Sequence, residues 1–171
     1  MKLVLYTDGN CLNNRRGKGR GAFAAYLQSG RFRRLIAGYQ ENTTNNEMEL
    51  KALLKGLSVL KEPCDVEWFT DSQYVLQGAM RWRHGWKKKN WQRKKTDIPH
   101  AHLWAEVSDL IDKQQSFTGY WVKGHAGIEG NEVCDRAANK VIADKWGYDT
   151  GLRFGLTEEE VSSVFSLKLQ P

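Results

Sequence analysis

The chain has 171 residues, of which 26 are lysine or arginine and 20 are aspartate or glutamate, so its net charge is +6. This length fits one domain with its own hydrophobic core and leaves room for a terminal extension. No apolar run approaches the ~20 residues of a membrane span, and the run at residues 3–5 is too short for a signal peptide. Cys11, Cys64 and Cys134 have neither paired nor metal-like spacing, which indicates free thiols in a cytoplasmic protein.

The N-terminal third predicts three strands in a meander. Residues 2–7 are rich in Leu, Val and Tyr and predict a buried strand, which the turn signal Asp8-Gly9 is expected to close. Residues 21–27 and 32–39 predict the second and third strands, with a hairpin turn at Ser29-Gly30.

The middle of the chain predicts a helix, a strand and the start of another helix. Leucines at helical spacing make residues 44–61 the clearest helix, with Thr44 as its N-cap and Glu47 as the capping-box partner. Pro63 is expected to end it. Residues 66–69 predict the fourth strand, after which Asp71 or Ser72 is expected to cap the next helix.

The rest of the chain continues the alternation of helices and strands. Residues 101–112 predict a helix, 117–122 the fifth strand, 124–127 a flexible loop and 130–143 a final helix. Such an order predicts a mixed sheet with helices on its faces. The composition changes after Gly147, so we expect a domain over residues 1–147 and an extension over 148–171, of unknown role, with a short helix at 157–165.

One short segment carries the basic character of the chain. Residues 81–95 contain eight of the 26 basic residues and no acid, and the remaining 18 nearly balance the 20 acidic residues. We call residues 81–95 the basic segment; it is aromatic as well as basic and shows little periodicity. A phosphate backbone is a natural partner for such a charge, although a solvated surface would also explain it.

Two aspartates follow predicted strands that we expect to be neighbours in the sheet. In open α/β sheets, sites form beyond the carboxyl ends of the strands, so Asp8 and Asp71 are expected to lie side by side. A divalent cation relieves the repulsion between such carboxylates, and oxygen ligands favour Mg²⁺ or Mn²⁺. Taken singly, each would also suit a turn or a helix cap. Glu47 and Glu49 flank the leucine stripe equally, so periodicity does not choose a third ligand.

Five strings in order and spacing carry a resemblance to a known family. They are Thr7-Asp8-Gly9, Thr44-Asn45-Asn46-Glu47-Met48-Glu49-Leu50, Thr70-Asp71-Ser72-Gln73-Tyr74, Trp121-Val122-Lys123-Gly124-His125-Ala126-Gly127 and Asn131-Glu132-Val133-Cys134-Asp135. The chain resembles the type 1 ribonuclease H family in its bacterial single-domain form, from residue 1 to about residue 145. The resemblance implies an α/β ribonuclease H-like fold: a mixed five-stranded sheet, three strands antiparallel and then two parallel, flanked by helices on both faces.

The resemblance also implies an activity and its catalytic residues. The family's enzymes are endonucleases that hydrolyse the RNA strand of RNA–DNA hybrids with two Mg²⁺ ions, for which Mn²⁺ can substitute, giving 5′-phosphate and 3′-hydroxyl ends. By resemblance the metal ligands are Asp8, Glu49, Asp71 and Asp135, and His125 helps to move protons or release product. The implied partner is the hybrid duplex, with no membrane and no obligate protein partner for a monomeric enzyme.

Further residues match the family's substrate contacts. Asn14, Asn46 and Gln73 match positions that contact the minor groove, where the 2′-hydroxyl distinguishes RNA from DNA. Contacts to the duplex are also expected at Thr44, near a DNA phosphate, and at Asn131. The remaining expected contacts belong to the basic segment, which grips the DNA strand: Trp82, Trp86, Lys87, Lys88, Lys89 and Trp91.

The sequence departs from the family pattern at three places. Residues 13–20 form a more basic loop than usual, Glu47 stands where relatives often carry a basic residue near a DNA phosphate, and the extension has no assignable counterpart. Three alternatives stay open: a module that binds hybrids without cutting them, another nuclease or strand-transfer enzyme on this fold, and a domain of a reverse transcriptase. A bacterial and a phage source are equally compatible with the sequence.

Overall fold

A mixed β-sheet with helices on both faces organises the chain. The structure, a computed structural model, describes residues 1–12, 18–150 and 153–154. Its strands, in chain order, are β1 (Lys2–Cys11), β2 (Gly19–Ser29), β3 (Phe32–Thr43), β4 (Asp65–Thr70), β5 (Gln92–Arg93), β6 (Thr96–Asp97), β7 (Ser116–Trp121), β8 (Tyr148–Asp149) and β9 (Arg153–Phe154). Its helices are α1 (Asn45–Ser58), α2 (Gln73–Gln77), a π-helical turn (Gly78–Trp82), α3 (Arg83–Lys88), α4 (Ala101–Asp112) and α5 (Glu129–Asp144).

The strand order of the main sheet confirms the predicted fold class. The sheet runs β7-β4-β1-β2-β3-β8, and β9 also pairs with β3. β1, β2 and β3 are antiparallel neighbours, whereas β4 is parallel to β1 and β7 is parallel to β4. Because β1 and β4 are adjacent and parallel, their carboxyl ends lie at the same end of the sheet.

The first strand is longer than predicted. The expected turn at Asp8-Gly9 is wrong, because β1 continues to Cys11 and pairs Asp8 with Ala24 of β2. Asp-Gly is a turn signal only where the local preference decides, and here the ladder with β2 holds the backbone extended. Asp8 therefore belongs to a strand paired on both of its sides, with β4 ending nearby.

Smaller corrections concern a turn and a helix. The hairpin turn lies at Gly30-Arg31, one residue later than predicted, where Gly30 has a φ of +55°. Thr44 caps α1 as predicted, accepting a hydrogen bond from the Glu47 amide at 3.2 Å. The Glu47 carboxylate, however, accepts from the Thr43 hydroxyl and does not complete a capping box. The helix ends at Ser58, well before Pro63.

Two apolar cores lie on opposite faces of the sheet. On one face α1, α2 and α4 pack against the sheet around the fully buried Trp68 and Trp104. The Trp68 indole donates a buried hydrogen bond to the Thr7 hydroxyl at 2.8 Å. On the other face α5 packs against β1, β2 and β3 around Tyr26 and Leu35. Both strands that carry the predicted aspartates are thus held in a close-packed interior.

The residues after Gly147 add to the edge of the sheet. β8 and β9 pair antiparallel with β3, and Arg34 forms a bidentate ion pair with Asp149 at 2.6 and 2.9 Å. The domain boundary at Gly147 stays a prediction. The helix predicted at residues 157–165 lies outside the described residues.

Gly9 generates a prediction about stability, because α1 occupies the space of its missing side chain. A Cβ at this position would lie 2.2 Å from the backbone nitrogen of Glu49, which cannot move without the helix. We expect Gly9→Ala to lower the free energy of unfolding by about 1–3 kcal/mol, the usual cost of overpacking. Urea denaturation measures the difference.

Gly85→Ala is the matched control. Nothing lies within 4 Å of a Cβ at this helical position, so alanine is expected to leave the stability unchanged or slightly raised. Equal stabilities of the two variants would contradict a rigid contact between β1 and α1.

Candidate active site

Three carboxylates meet at the carboxyl end of β1 and β4. Asp8 lies on β1, Asp71 follows β4 directly, and Glu49 projects from the second turn of α1. One carboxylate oxygen of each lies within 4.8 Å of those of the other two. We call Asp8, Glu49 and Asp71 the carboxylate cluster. The predicted juxtaposition of Asp8 and Asp71 is therefore present, and Glu49 joins them.

The close approach of α1 to Gly9 explains why the third member is Glu49. The backbone of Gly9 donates hydrogen bonds to Asp8 Oδ1, at 2.9 Å, and to the Glu49 carboxylate. Glu47 points elsewhere, since its carboxylate accepts from the Thr43 hydroxyl at 2.8 Å and from the Gln40 amide at 3.0 Å. Burial alone would raise the pKa of Glu47, but these hydrogen bonds lower it below the ordinary value.

Burial and mutual repulsion make the cluster electrostatically unfavourable when it is charged. Burial, together with the charges of Asp71 and Asp135, raises the pKa of Asp8 to about 7. Burial and then the neighbouring Asp8 and Asp71 charges raise the pKa of Glu49 well above its usual range. Burial also raises the pKa of Asp71. These carboxylates favour whatever neutralises them, either protons or cations.

The donor set fits a divalent metal ion. All groups in the carboxylate cluster offer oxygen, the ligand that Mg²⁺ and Mn²⁺ prefer. Glu49 Oε2 is buried and has no hydrogen-bond partner among the described residues, so it has an unused lone pair inside the cluster. A buried acceptor without a partner is costly, and a cation would satisfy it.

A second group of ligand atoms adjoins the first. Atoms of His125, Glu132 and Asp135 lie within 4.8 Å of one another, and His125 Nδ1 is 3.8 Å from Asp135 Oδ2. Asp135 is close enough to raise the pKa values of Asp8 and Asp71, which links the two groups. The His125 side chain is 78% exposed and its residue has a φ of +54°. It therefore stands in solvent at the mouth of the site.

Sequence reasoning did not assign a role to Glu132, although it stands in a matched string. Its carboxylate accepts a hydrogen bond from the Gly127 amide at 3.3 Å and so ties the loop that carries His125 to α5. The helical spacing of Glu132 and Asp135, three residues apart, is the signal that could have found it, because such residues share a face.

Asn131 occupies a different place from the one expected of a substrate contact. It is only 2% exposed, and its side chain hydrogen-bonds the Asp71 carboxylate, which offsets part of the rise that burial causes in the pKa of Asp71. A side chain this buried has little surface for a duplex. The geometry therefore does not favour the expected contact between Asn131 and the duplex. The first turn of α5 directs this side chain inward, toward Asp71.

The other predicted groove contacts lie beside the carboxylates. Asn46 and Gln73 are exposed on the first turns of α1 and α2, near Glu49 and Asp71 along the chain. Thr44 is partly exposed and its hydroxyl caps α1. Asn14 lies outside the described residues. Around the described part of the site, exposed amides therefore border buried acids.

The basic segment is better ordered than its sequence pattern indicates. Its first half comprises the end of the π-helical turn and α3, and its second half contains β5 and the turn that leads to β6. Trp86 packs between Trp82 and Trp104, with ring centroids 5.8 and 5.3 Å away. Trp91 donates its amide to the Trp86 carbonyl at 2.7 Å. Aromatic packing thus fixes the segment to the core through α4.

A polar network, which sequence reasoning missed, also anchors this segment. The buried Arg83 donates hydrogen bonds to Ser108 and Asp112 of α4, at 2.9 and 2.8 Å. Asp112 also pairs with Lys87 at 3.1 Å, so this lysine has an intramolecular partner. Lys88 and Lys89 are exposed, and neither forms an ion pair with a residue that the structure describes. They are the better placed of the three for phosphate contacts.

Comparison with known proteins agrees with this geometry. A family model described as RNase H matches residues 1–143. A ribonuclease H of Tolumonas auensis is 43% identical over 152 residues, covering 88% of this chain and 96% of the relative. A ribonuclease H of Syntrophotalea carbinolica is 42% identical over 141 residues, covering 82% of this chain and 90% of the relative.

A solved structure is similar throughout the chain. The crystal structure of LC9-RNase H1, described as a type 1 RNase H with the type 2 active-site motif, superposes with a TM-score of 0.81 at 26% identity. The match covers 99% of this chain and 87% of that one. Within the described ranges, no helix combines the length and the apolar character that crossing a bilayer requires. The family model, the relatives and the fold agree that this chain belongs to the ribonuclease H family, enzymes that cut the RNA strand of RNA–DNA hybrids.

Proposed function

We propose that this enzyme hydrolyses the RNA strand endonucleolytically with two divalent metal ions, Mg²⁺ in the first place, leaving 5′-phosphate and 3′-hydroxyl ends. The observation that carries the proposal is the carboxylate cluster, three acids within 4.8 Å of one another that burial makes unfavourable without a cation. Asp135 extends the cluster on the side of α5.

The metal ligands are Asp8, Glu49, Asp71 and Asp135. Asp8 would be the central ligand of this set, since it interacts electrostatically with the other three acids. When bound, the ions would lower the pKa of a water molecule and stabilise charge on the leaving oxygen. The protein holds the ligands in place: Gly9 donates to Asp8 and Glu49, and Asn131 donates to Asp71.

We assign His125 to proton movement or product release. Its side chain is exposed beside Asp135, so it can exchange protons with solvent and reach the edge of the site. It lies on a loop with a glycine at φ +78°, Gly127, which suits a position that moves during turnover.

Substrate recognition is assigned to exposed polar and basic groups around the acids. Asn46 and Gln73, with Asn14, would contact the minor groove and its 2′-hydroxyls. Thr44 would lie near a DNA phosphate. The Glu47 carboxylate, which accepts hydrogen bonds from Thr43 and Gln40, places negative charge near Thr44. The DNA strand would therefore depend more on the basic segment for its phosphate contacts.

The first prediction concerns Asp71. Asp71→Asn keeps the shape of the side chain and removes the charge, so we expect cleavage of a hybrid to fall by far more than tenfold, with binding preserved. A rate above about a tenth of wild type would leave less than ~1.4 kcal/mol of barrier at stake. That result would exclude Asp71 as a metal ligand.

A single assay compares RNA–DNA hybrid, double-stranded RNA and double-stranded DNA, with and without Mg²⁺. Asp109→Asn, an exposed change on α4, is the control and should cleave as wild type. Binding of the hybrid without cleavage by the wild-type protein in Mg²⁺ would instead favour a binding module.

The second prediction concerns pH and metal. The folded protein keeps the Asp8 proton up to about pH 7, whereas the unfolded chain releases it near the ordinary value of 3.8. The metal-free fold therefore loses stability as pH rises through this window, by up to about 1.4 kcal/mol per pH unit for one proton. Asp8→Asn should flatten this dependence and stabilise the metal-free protein at pH 8.

Millimolar Mg²⁺ should raise the Tm more at pH 8 than at pH 5, because protons compete with the ion for the same oxygens. Calorimetric scans at several pH values measure both effects. If wild type and Asp8→Asn showed parallel pH profiles, or Mg²⁺ left the Tm unchanged at pH 8, the cluster would not be the preformed site proposed here.

The third prediction concerns the basic segment. Replacing Lys88 and Lys89 together with alanine should raise KM with kcat nearly unchanged, because side chains remote from the acids contribute only uniform binding. Each lysine that meets a phosphate releases a counterion. The plot of log affinity against log salt, measured in EDTA, should flatten by about one unit per lysine.

Lys55 and Lys113 supply the matched control, since both are exposed and their replacement removes the same amount of positive charge. The Lys55→Ala/Lys113→Ala variant should keep the wild-type salt dependence. A wild-type slope in the Lys88/Lys89 variant would make the segment a solvated surface and place the hybrid elsewhere.

A further inference from the structure

Three aromatic rings form a stack across the sheet, beside the carboxylate cluster. Tyr6 of β1 stacks on Phe69 of β4 with ring centroids 5.1 Å apart, and Phe69 stacks on Tyr120 of β7 with centroids 5.2 Å apart. The three are register partners on adjacent strands, so their side chains share one face of the sheet. β7 is the last strand on this side of the sheet, and Tyr120 is 43% exposed. One side of its ring is therefore covered by Phe69, and the other faces away from the sheet.

The stack adjoins the carboxylate cluster on the same face. Asp8 follows Tyr6 by two residues along the chain, and side chains two residues apart on a strand point the same way, about 7 Å from each other. Asp71 stands in the same relation to Phe69, directly after the end of β4. On this face α5 packs against β1, β2 and β3, and Tyr120 lies beyond it at the edge. The Tyr120 ring is thus an exposed aromatic surface that continues the active site.

An RNA base is the occupant that this position favours. In the proposed reaction the RNA strand has to pass the carboxylate cluster, and an exposed aromatic ring stacks on any base, whatever its identity. Bases inside a duplex are already stacked on their neighbours, so an unpaired base is the one that can reach the ring. Lys123 follows the end of β7 and forms no ion pair with a residue that the structure describes, so its charge is available to a nearby phosphate.

The charge of the neighbouring row limits how far an unpaired strand can extend over this face. Glu67 precedes Phe69 by two residues on β4 and is exposed, so it places negative charge on the side of the stack away from the carboxylate cluster. Phosphates are repelled there. The base on Tyr120 therefore belongs to a nucleotide close to the scissile phosphate.

We propose that Tyr120 stacks on an unpaired RNA base at the end of the hybrid, so that the enzyme prefers to cut where the hybrid meets single-stranded RNA. This inference rests on the RNA hydrolysis proposed above and adds a substrate class to it: hybrids whose RNA strand continues without a DNA partner. Tyr120 contributes binding and has no part in the chemical step, so its effect belongs in KM and in the position of the cut.

The test compares, in Mg²⁺, a blunt hybrid with hybrids whose RNA strand continues into an adenosine tail at its 5′ or its 3′ end. Wild type should have a KM about fivefold or more lower for one of the tailed hybrids, with its cuts concentrated at the junction. Tyr120→Ala should abolish both effects and cleave the blunt hybrid as wild type does. Tyr120→Phe keeps the ring and should retain both effects.

Trp146→Ala is the matched control, because Trp146 is 45% exposed and lies beyond the far end of α5; it should behave as wild type on every substrate. Equal KM values for tailed and blunt hybrids, or a junction preference that Tyr120→Ala retains, would overturn the proposal. Cleavage of the blunt hybrid tests the catalytic proposal separately. An equal Tyr120-dependent gain from a tail on the DNA strand would overturn the assignment to RNA. A change in self-association by sedimentation, without a change in KM, would overturn it too and assign the ring to a second copy.

Discussion

The site depends on the contact between β1 and α1 at Gly9, because this contact determines which carboxylates are buried together. A helix this close to a strand needs a residue without a side chain, and the approach brings Glu49 to Asp8. The same contact provides the Gly9 amide, which partly offsets the repulsion by donating to both carboxylates. The rest of the fold must hold this arrangement against the tendency of like charges to separate.

The two cores supply that resistance from opposite faces of the sheet. On one face the buried Trp68 locks β4 to β1 through its hydrogen bond to Thr7, the residue directly before Asp8. On the other face α5 begins at the sheet, and Gly130 lets its first turn lie against the Tyr6 ring. This places Asn131 and Asp135 at the acids. The free energy that apolar packing contributes to folding thus holds the carboxylates together, although their charges repel one another until cations bind.

Local patterns predicted the fold class, the order of the elements and the bounds of α4, because periodicity and turn signals carry that information. They failed where contacts between residues distant in sequence determine the local structure or the placement of a side chain. The Asp8-Gly9 turn gave way to pairing with β2. Glu47 and Glu49 were equivalent on a helical wheel, and only the family resemblance, followed by the approach of Gly9, separated them. Asn131 was expected to contact the duplex, whereas the packing of α5 buries it beside Asp71. The partner of Lys87, Asp112, is 25 residues away.

Continuity of packing connects the basic segment to the acids. Trp86 contacts Trp104 of α4, Arg83 bonds Ser108 and Asp112 of the same helix, and α4 packs against α1, which carries Glu49. The backbone of α3 is therefore held at a defined position relative to the carboxylates. A duplex bound to the segment through its DNA backbone, as proposed, would be presented to the acids in one register. The proposed arrangement would separate two tasks that conflict electrostatically: lysines would attract the polyanion at a distance, and the buried carboxylates would bind the cations needed where it is cut.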